Sequence, residues 1–281
     1  MNLTESVTIL LLSDLHVGSA FGLFPDKHTL STGGRASLNT GQRYLLRCWD
    51  DLCARLPDKL DYLILNGDTV EGQQYKEQGL TVTEIDPEGQ VDAAYTLLAP
   101  LAEKATEVYC VAGTGYHVGK GARAEQALGR QLETVRNEWN NPVWPWLLLD
   151  IGGVILDIAH AQSGTIRYKS SPLERELQFA QMIAGDLRPD VDLIVRAHVH
   201  TYGWHNFDGQ LVLSMPAFKL QSDHVKTSKT PNRYVSRLLG GVLLTVTPGL
   251  KGRNVRNRAE YIQHETLTYN QPKMRAHKGQ V

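Results

Sequence analysis

Five short polar clusters in this chain carry side chains that bind metal ions or move protons: Asp14-Leu15-His16, Gly67-Asp68, the stretch from Gly113 to His117, His160, and His198-Val199-His200. Carboxylate and imidazole donors together make a shell that suits Mn²⁺, Fe or Zn²⁺ better than Ca²⁺ or Mg²⁺ alone. In an extended segment residues i and i+2 point the same way, so Asp14 with His16, and His198 with His200, would each aim two ligands at one place. Singly, each cluster has a plainer reading. An Asp at a strand end can cap a turn, and a lone His160 is more often a hydrogen-bonded structural side chain. His-x-His behind an apolar strand is more specific, because two imidazoles on one face need a reason. What turns the set toward metal chemistry is that all of these clusters occur in one chain, each at the end of an apolar run.

Those runs are the elements that must position the clusters. Val7 to Leu12 is a continuous apolar segment of strand length, suited to a sheet buried on both faces. Gln42 to Leu56 places Tyr44, Leu45, Leu46, Trp49, Leu52 and Leu56 at helical spacing, and Pro57 ends it. The pattern repeats with a strand from Tyr62 to Leu65, a helix from Val91 to Ala105 and a strand from Val108 to Ala112. Alternating strands and helices imply crossovers and a largely parallel sheet. Farther on, Trp146 to Ile151 and Val154 to Ala159 flank Gly152-Gly153, a hairpin signal, and the second of these strands delivers His160. A helix from Leu173 to Leu187 and a strand from Val191 to Val195 lead into His198 and His200. Short strands follow at Gln210 to Leu213 and Val242 to Val246. In open α/β sheets ligands gather at the carboxyl ends of the strands, which is where every cluster falls. Trp144 and Trp146, around Pro145, read as packing residues.

The bulk composition narrows the class. With 281 residues, 42% hydrophobic and 21% charged, the chain can bury a large core and is expected to be globular. A formal charge of -1 gives no overall field to attract nucleic acid, so any such attraction must be local. Three cysteines without CxxC spacing argue against a disulfide framework and a cysteine zinc site, and point to a reducing, cytoplasmic setting. No apolar run reaches the length of a signal or membrane segment, so no membrane association is expected. After Leu250 apolar residues thin out and seven Lys/Arg face two acids, which divides the chain into a domain at 1–250 and a basic C-terminal extension at 251–281. The extension reads as a flexible or partner-ordered tail, with Tyr261 and Tyr269 available to touch phosphate or bases.

In order and spacing the clusters resemble the signature of the calcineurin-like metallophosphoesterases, D-x-H, G-D, G-N-H-D/E, H and G-H-x-H. Here these read DLH at 14–16, GD at 67–68, GTGYH at 113–117, AH at 159–160 and AHVH at 197–200. The resemblance spans roughly residues 7 to 250 and implies a four-layer α/β/β/α sandwich, two mixed sheets flanked by helices. It further implies that Asp14, His16, Asp68 and His200 hold one metal, and Asp68, His160 and His198 a second, with Asp68 as the bridge. The third motif departs from the pattern. Tyr116 stands where the family's Asn precedes its histidine, Thr114 is the candidate stand-in ligand, and Val118 replaces the final acid. His117 is assigned as the proton donor to the leaving group, against the plainer reading of a surface-loop histidine.

The resulting expectation is a phosphoesterase with two divalent cations, Mn²⁺ first with Fe or Zn²⁺ as alternatives, about 3.5 to 4 Å apart. They would lower the pKa of a bridging water for in-line attack on phosphorus. A phosphodiester is favoured as substrate, with nucleic acid a candidate, since Asp-Leu-His-Val-Gly resembles the first motif of the DNA-repair nucleases of this superfamily. The segment from Lys219 to Arg237 carries Lys219, Lys226, Lys229, Arg233 and Arg237 against Asp223, and Lys219 and Lys226 are the candidate substrate contacts. The competing readings are a phosphomonoesterase, a mononuclear hydrolase and a non-catalytic scaffold of the same fold. The oligomeric state is left open.

Overall fold

The computed structural model describes residues 5–74, 78–161, 174, 177–178, 189–207, 210–221, 237–248 and 261–272. Strand β1 (Val7–Leu12) is apolar except for the half-buried Thr8 because it has a core on each side. Leu10 and Leu12 enter one cluster while Val7, Ile9 and Leu11 enter another, the period-two alternation of a strand buried on both faces. Strands β2 (Leu60–Asn66) and β3 (Ala105–Val111) repeat this division, with Leu63, Leu65, Val108 and Cys110 on the first side and Ile64, Tyr109 and Val111 on the second.

The first cluster is closed by helices. Helix α1 (Thr40–Arg55) begins at a capping box in which Asn39 and Gln42 satisfy each other's backbone N–H, and it buries Leu45, Cys48, Trp49 and Leu52. Helix α2 (Pro87–Ala102) starts with Asp86 as N-cap and Pro87 in its first turn, where the missing N–H costs nothing. A short helix α3 (Gly115–Val118) and helix α4 (Arg123–Gln131) complete the layer. The second cluster lies between the two sheets. Its far wall is built by β4 (Leu147–Ile151), β5 (Val154–Ile158), β6 (Leu193–Arg196), β7 (Gly203–Phe207) and β8 (Gln210–Ser214).

Strands β9 (Leu238–Val246) and β10 (Ile262–Asn270) return to the first sheet. Its order is β10-β9-β1-β2-β3, and the second sheet's is β4-β5-β6-β8-β7. Each sheet has three parallel strands, which in the first run out to the edge at β3 with antiparallel β9 and β10 on their other side, and in the second lie between antiparallel β4 and β7. The sheets are therefore mixed, as the resemblance implied. On the outer face of the second sheet Leu177, in a helical position, packs with Val191, Ile194 and Val212, the described part of the fourth layer. The rest of the helix expected from Leu173 to Leu187 lies outside the described residues.

The observed elements differ from the expected ones where amphipathic or terminal segments are concerned. Helix α2 stops at Ala102 rather than Ala105, because Ala105 already pairs with Leu60 in the sheet. The main correction concerns the C-terminal extension. Residues 262–270 are not a tail but the edge strand β10, paired with β9 along its whole length. Leu267 is fully buried in the first core, and Tyr261 packs in the second. Tyr269 donates its hydroxyl to Asp51 Oδ2 at 2.8 Å, so neither tyrosine is presented to a ligand. A domain boundary at 250 is thus ruled out by the sheet itself. Trp144 packs against the second core and its indole N–H donates to Val135 O, whereas Trp146 is exposed, contrary to expectation, with its indole N–H donating to Asp157 Oδ1. All three cysteines are free, and among the described residues no helix is long and apolar enough to cross a membrane.

If β10 is integral to the fold, Leu267→Ala should destabilise the protein by about 2–4 kcal/mol in urea unfolding, the usual cost of emptying a buried leucine site. An unchanged midpoint would return the segment to the status of a tail.

Candidate metal centre

The loops that follow the parallel strands are zipped together beyond the sheet. Asp14 N–H donates to Gly67 O, His16 N–H to Asp68 O and Val17 N–H to Thr69 O, at 3.0, 3.1 and 2.9 Å. The first two clusters are therefore held in register by backbone alone. On the second sheet, Ala197 N–H donates to His160 O at 3.0 Å, which brings the β5 and β6 termini together. Beneath that pair Arg196 and Asp157 form a buried two-point ion pair, with Arg196 Nη1 and Nη2 each within 3.2 Å of one carboxylate oxygen. The sheets meet where His198 N–H donates to Asp14 Oδ2 at 3.2 Å.

Within this frame six of the expected ligands converge. Asp14, His16 and His200 form one group with donor atoms within 4.8 Å of one another, and Asp68, His160 and His198 form another. Asp68 also groups with His16 and His117, so it stands between the two. His200 Nε2 is 3.1 Å from Asp14 Oδ1 and 3.2 Å from His16 Nε2. Ligands about 2.1 Å from a shared ion would sit at such separations from each other. His160 Nε2 is 3.0 Å from Asp68 Oδ2, whereas His198 is more open, its Nδ1 4.0 Å from the same oxygen and its side chain 48% exposed.

The way the ligands reach the site was not foreseen. Asp14, His16, Asp68, His198 and His200 all have positive φ, between 48° and 71°. They lie past the strand ends in the left-handed region, so the extended alternation invoked for Asp14 with His16 and His198 with His200 does not apply. Strain of this kind costs on the order of 1 kcal/mol per residue and gathers at functional sites. Two glycines permit the close packing. A Cβ on Gly67 would lie 2.4 Å from His160 Nδ1, and one on Gly113 would lie 2.3 Å from Asp68 Oδ1.

Ring orientation is fixed from behind. His160 Nδ1 donates to Asn66 O at 2.7 Å and His117 Nδ1 to Glu71 O at 2.7 Å; carbonyl oxygens only accept, so in each ring Nε2 faces the site. His16 Nδ1 is 2.7 Å from Glu71 Oε2, leaving its Nε2 toward Asp14 and His200. Imidazoles anchored through one nitrogen by a carbonyl or carboxylate are what metal ligation needs. Glu71 was missed in the sequence, where nothing distinguishes it from a surface acid. It is buried, and it also accepts from Lys219 Nζ at 2.8 Å.

The remaining expected residues divide. Thr114 reaches the site through Asp68, to which its backbone N–H donates at 2.7 Å and its hydroxyl at 3.1 Å. Its proton is given to the carboxylate, so here it orients the bridge in place of acting as a ligand. Lys219 is at the site but paired with Glu71. Lys226 lies outside the described residues, as do Lys229 and Arg233.

Electrostatics show what the cluster lacks. Burial alone would raise the pKa values of the carboxyls, yet neighbouring imidazoles hold those of Asp14 and Asp68, and His16 and Lys219 hold that of Glu71, well below the usual range. His160 is driven the other way: burial opposes its charge, but Asp14 and Asp68 outweigh it and push the ring up to about 10. A proton thus balances a buried anionic site. Asp14 Oδ1 and His160 Nε2, both buried, have close neighbours, His200 Nε2 at 3.1 Å and Asp68 Oδ2 at 3.0 Å, but no well-aligned hydrogen bond among the described residues. A pair of orphaned donor atoms facing one space, with carboxylates in want of positive charge, fits divalent cations. His117 is different, since burial and then the nearby His16 lower it to about 4, leaving a neutral ring with an open Nε2 lone pair. Glu125, buried below the site, is raised by burial to about 8.

Two mixed five-stranded sheets carry this ligand order at their shared rim. The fold is the two-sheet α/β arrangement that the calcineurin-like resemblance implied. Solved structures similar to the chain include Vacuolar Protein Sorting 29 from Cryptosporidium parvum, 14% identical over 95% of this chain and 99% of that one, with a TM-score of 0.46. They also include wild-type Vps29 from Entamoeba histolytica complexed with Zn²⁺, at 12% identity over 94% and 99% with a TM-score of 0.43. A novel archaeal phosphodiesterase aligns at 12% identity over 92% and 99% with a TM-score of 0.41. No family model matches the sequence, and no curated protein does.

Because His160 must lose its proton to ligate, cation affinity should rise with pH from 6 to 9, with proton release on binding. Calorimetry in two buffers of different ionisation enthalpy reads that release directly. The same shift has a stability consequence. A histidine raised to about 10 contributes stability that is complete below about 6.5 and fades as pH climbs toward 10. Metal-free protein should therefore lose on the order of a few kcal/mol in urea unfolding between pH 6.5 and 10.

Proposed function

We propose that the protein is a dinuclear metal-dependent phosphoesterase that hydrolyses phosphodiesters. The observation that carries this reading is Asp68, a buried carboxylate shared by ligand groups from both sheets, with the facing His160, His16 and His117 rings each anchored through the other nitrogen. Asp14, His16, Asp68 and His200 would hold one cation, and Asp68, His160 and His198 the other. Bound cations would supply an acidified water and neutralise phosphoryl charge.

The chain's own side chains do the rest. His117 presents Nε2 toward Asp68 and His16 while its Nδ1 stays on Glu71 O, so a proton can be taken up and passed on at one defined atom. Glu71 keeps His16 in the tautomer that faces the site and neutralises Lys219. This pairing supports a diester over a monoester. A monoester brings a second negative charge, and the cation that the described residues place against the ligand cluster, Lys219, is already spent on Glu71. The choice of Mn²⁺ follows from the mixed oxygen and nitrogen donors, with Fe and Zn²⁺ as alternatives.

Two variants separate the roles. Asp68→Asn should lose bound metal and at least a thousandfold in turnover, while His117→Gln should keep its metal and lose roughly a hundredfold, the usual worth of a proton-transfer group. A fully active Asp68→Asn protein would refute the mechanism. The substrate is tested with Mn²⁺-loaded protein on bis-nitrophenyl phosphate, mono-nitrophenyl phosphate, and single-stranded and duplex DNA. Faster hydrolysis of the monoester would replace the diester reading. No hydrolysis by protein that elemental analysis shows to be metal-loaded would favour a non-catalytic scaffold.

A further inference from the structure

Among the described buried groups that the mechanism leaves unused, Glu125 touches the site's framework from below. It projects from α4 into the core with no exposed surface. Its Oε2 accepts the Gly113 N–H at 2.8 Å and its Oε1 lies 3.4 Å from the Thr69 N–H, which it also accepts. Thr69 directly follows Asp68. Gly113 directly precedes Thr114, whose N–H and hydroxyl both donate to the Asp68 carboxylate. One carboxyl group therefore grips the chain on either side of the shared ligand, once through the β2 loop and once through the β3 loop. The fit is close, for a Cβ on Gly113 would stand 2.3 Å from Asp68 N. Helix α4 cannot easily yield, since Leu128 on it and the flanking Val118 and Ala122 are anchored in the first core.

We propose that Glu125 is a positioning residue for the metal centre: by accepting from Thr69 and Gly113 together it sets where the Asp68 carboxylate stands between the two cations. Sequence motifs do not carry this role, because Glu125 lies outside all five clusters. Both partners are backbone N–H groups, so both carboxyl oxygens are used as acceptors, fully once the group ionises above about 8, a role that no amide nitrogen can take. A glutamine of equal size has one acceptor oxygen and one amide donor. With the oxygen kept on Gly113, the amide would face the Thr69 N–H, donor against donor, and push away the residue next to Asp68.

The inference rests on the metal-centre reading, and Co²⁺ as a probe tells the two apart. Wild-type protein and E125Q are titrated with Co²⁺, following the visible absorption of the bound ion, while thermal melting of the metal-free forms reports on the fold. E125Q is expected to bind Co²⁺ at least tenfold more weakly and with an altered visible spectrum, with its metal-free melting temperature within a few degrees of wild type. E125A, which removes both acceptors, should lose more. A merely structural Glu125 would shift the melting temperature and leave the spectrum of bound Co²⁺ as it was. Wild-type affinity and spectrum in E125Q would overturn the positioning role while leaving the metal centre intact. Failure of the wild-type protein to bind Co²⁺ at all would overturn the metal centre, and this inference with it.

Discussion

Asp14 and Asp68 are fully buried carboxylates held a few ångströms from five imidazoles at the rim where two sheets meet. Charges in such a place are tolerated only when other charges answer them, and in the absence of a cation the answer is a proton on His160. The rest of the structure serves that arrangement. The parallel strands deliver their carboxyl ends to one edge, the backbone of the β1 and β2 loops is bonded in register, and the second sheet is tied on through His198 N–H and Asp14. Remove the demand for positive charge and much of this geometry has no purpose, since packing alone would not place two acids in the dry end of a core.

The same constraint explains the layer of residues behind the ligands. Glu71 and Asn66 O each hold a ligand by the atom turned away from the site, and Thr114 donates to the carboxylate of Asp68. Lys219 offsets Glu71, and Arg196 with Asp157 fixes the relation of β5 to β6 below His160 and His198. Polar groups in this layer cannot be swapped one at a time without leaving a partner buried and unsatisfied, so the layer behaves as one unit with the ligands.

Much of this was legible in the sequence. Val7 to Leu12, Tyr62 to Leu65 and Val108 to Ala112 read as strands because their two faces enter two different cores, which requires unbroken apolar character. The ligand clusters were legible because each directly follows such a run. β7 and β10 were not, since Trp204, His205, Gln263, His264 and Glu265 sit on edge strands with one side toward solvent or toward other polar side chains. Glu71 and Glu125 look like ordinary surface acids in one dimension, and only the fold places them under the site. The left-handed backbone of the ligands was equally hidden. Asp and His carry no local mark of positive φ, and the strain is imposed by the convergence of distant loops.

That backbone makes folding and binding competing demands on the same residues. At φ near 50° to 70° glycine is the least costly occupant, and a side chain with a Cβ is held there against its preference. At Asp14, His16, Asp68, His198 and His200 the chain forgoes the residue that would make its turns most comfortable, and does so five times at one rim. A sequence optimised for thermal robustness alone would drift toward glycine or asparagine at these positions. Their present identities therefore record a requirement that folding by itself does not impose.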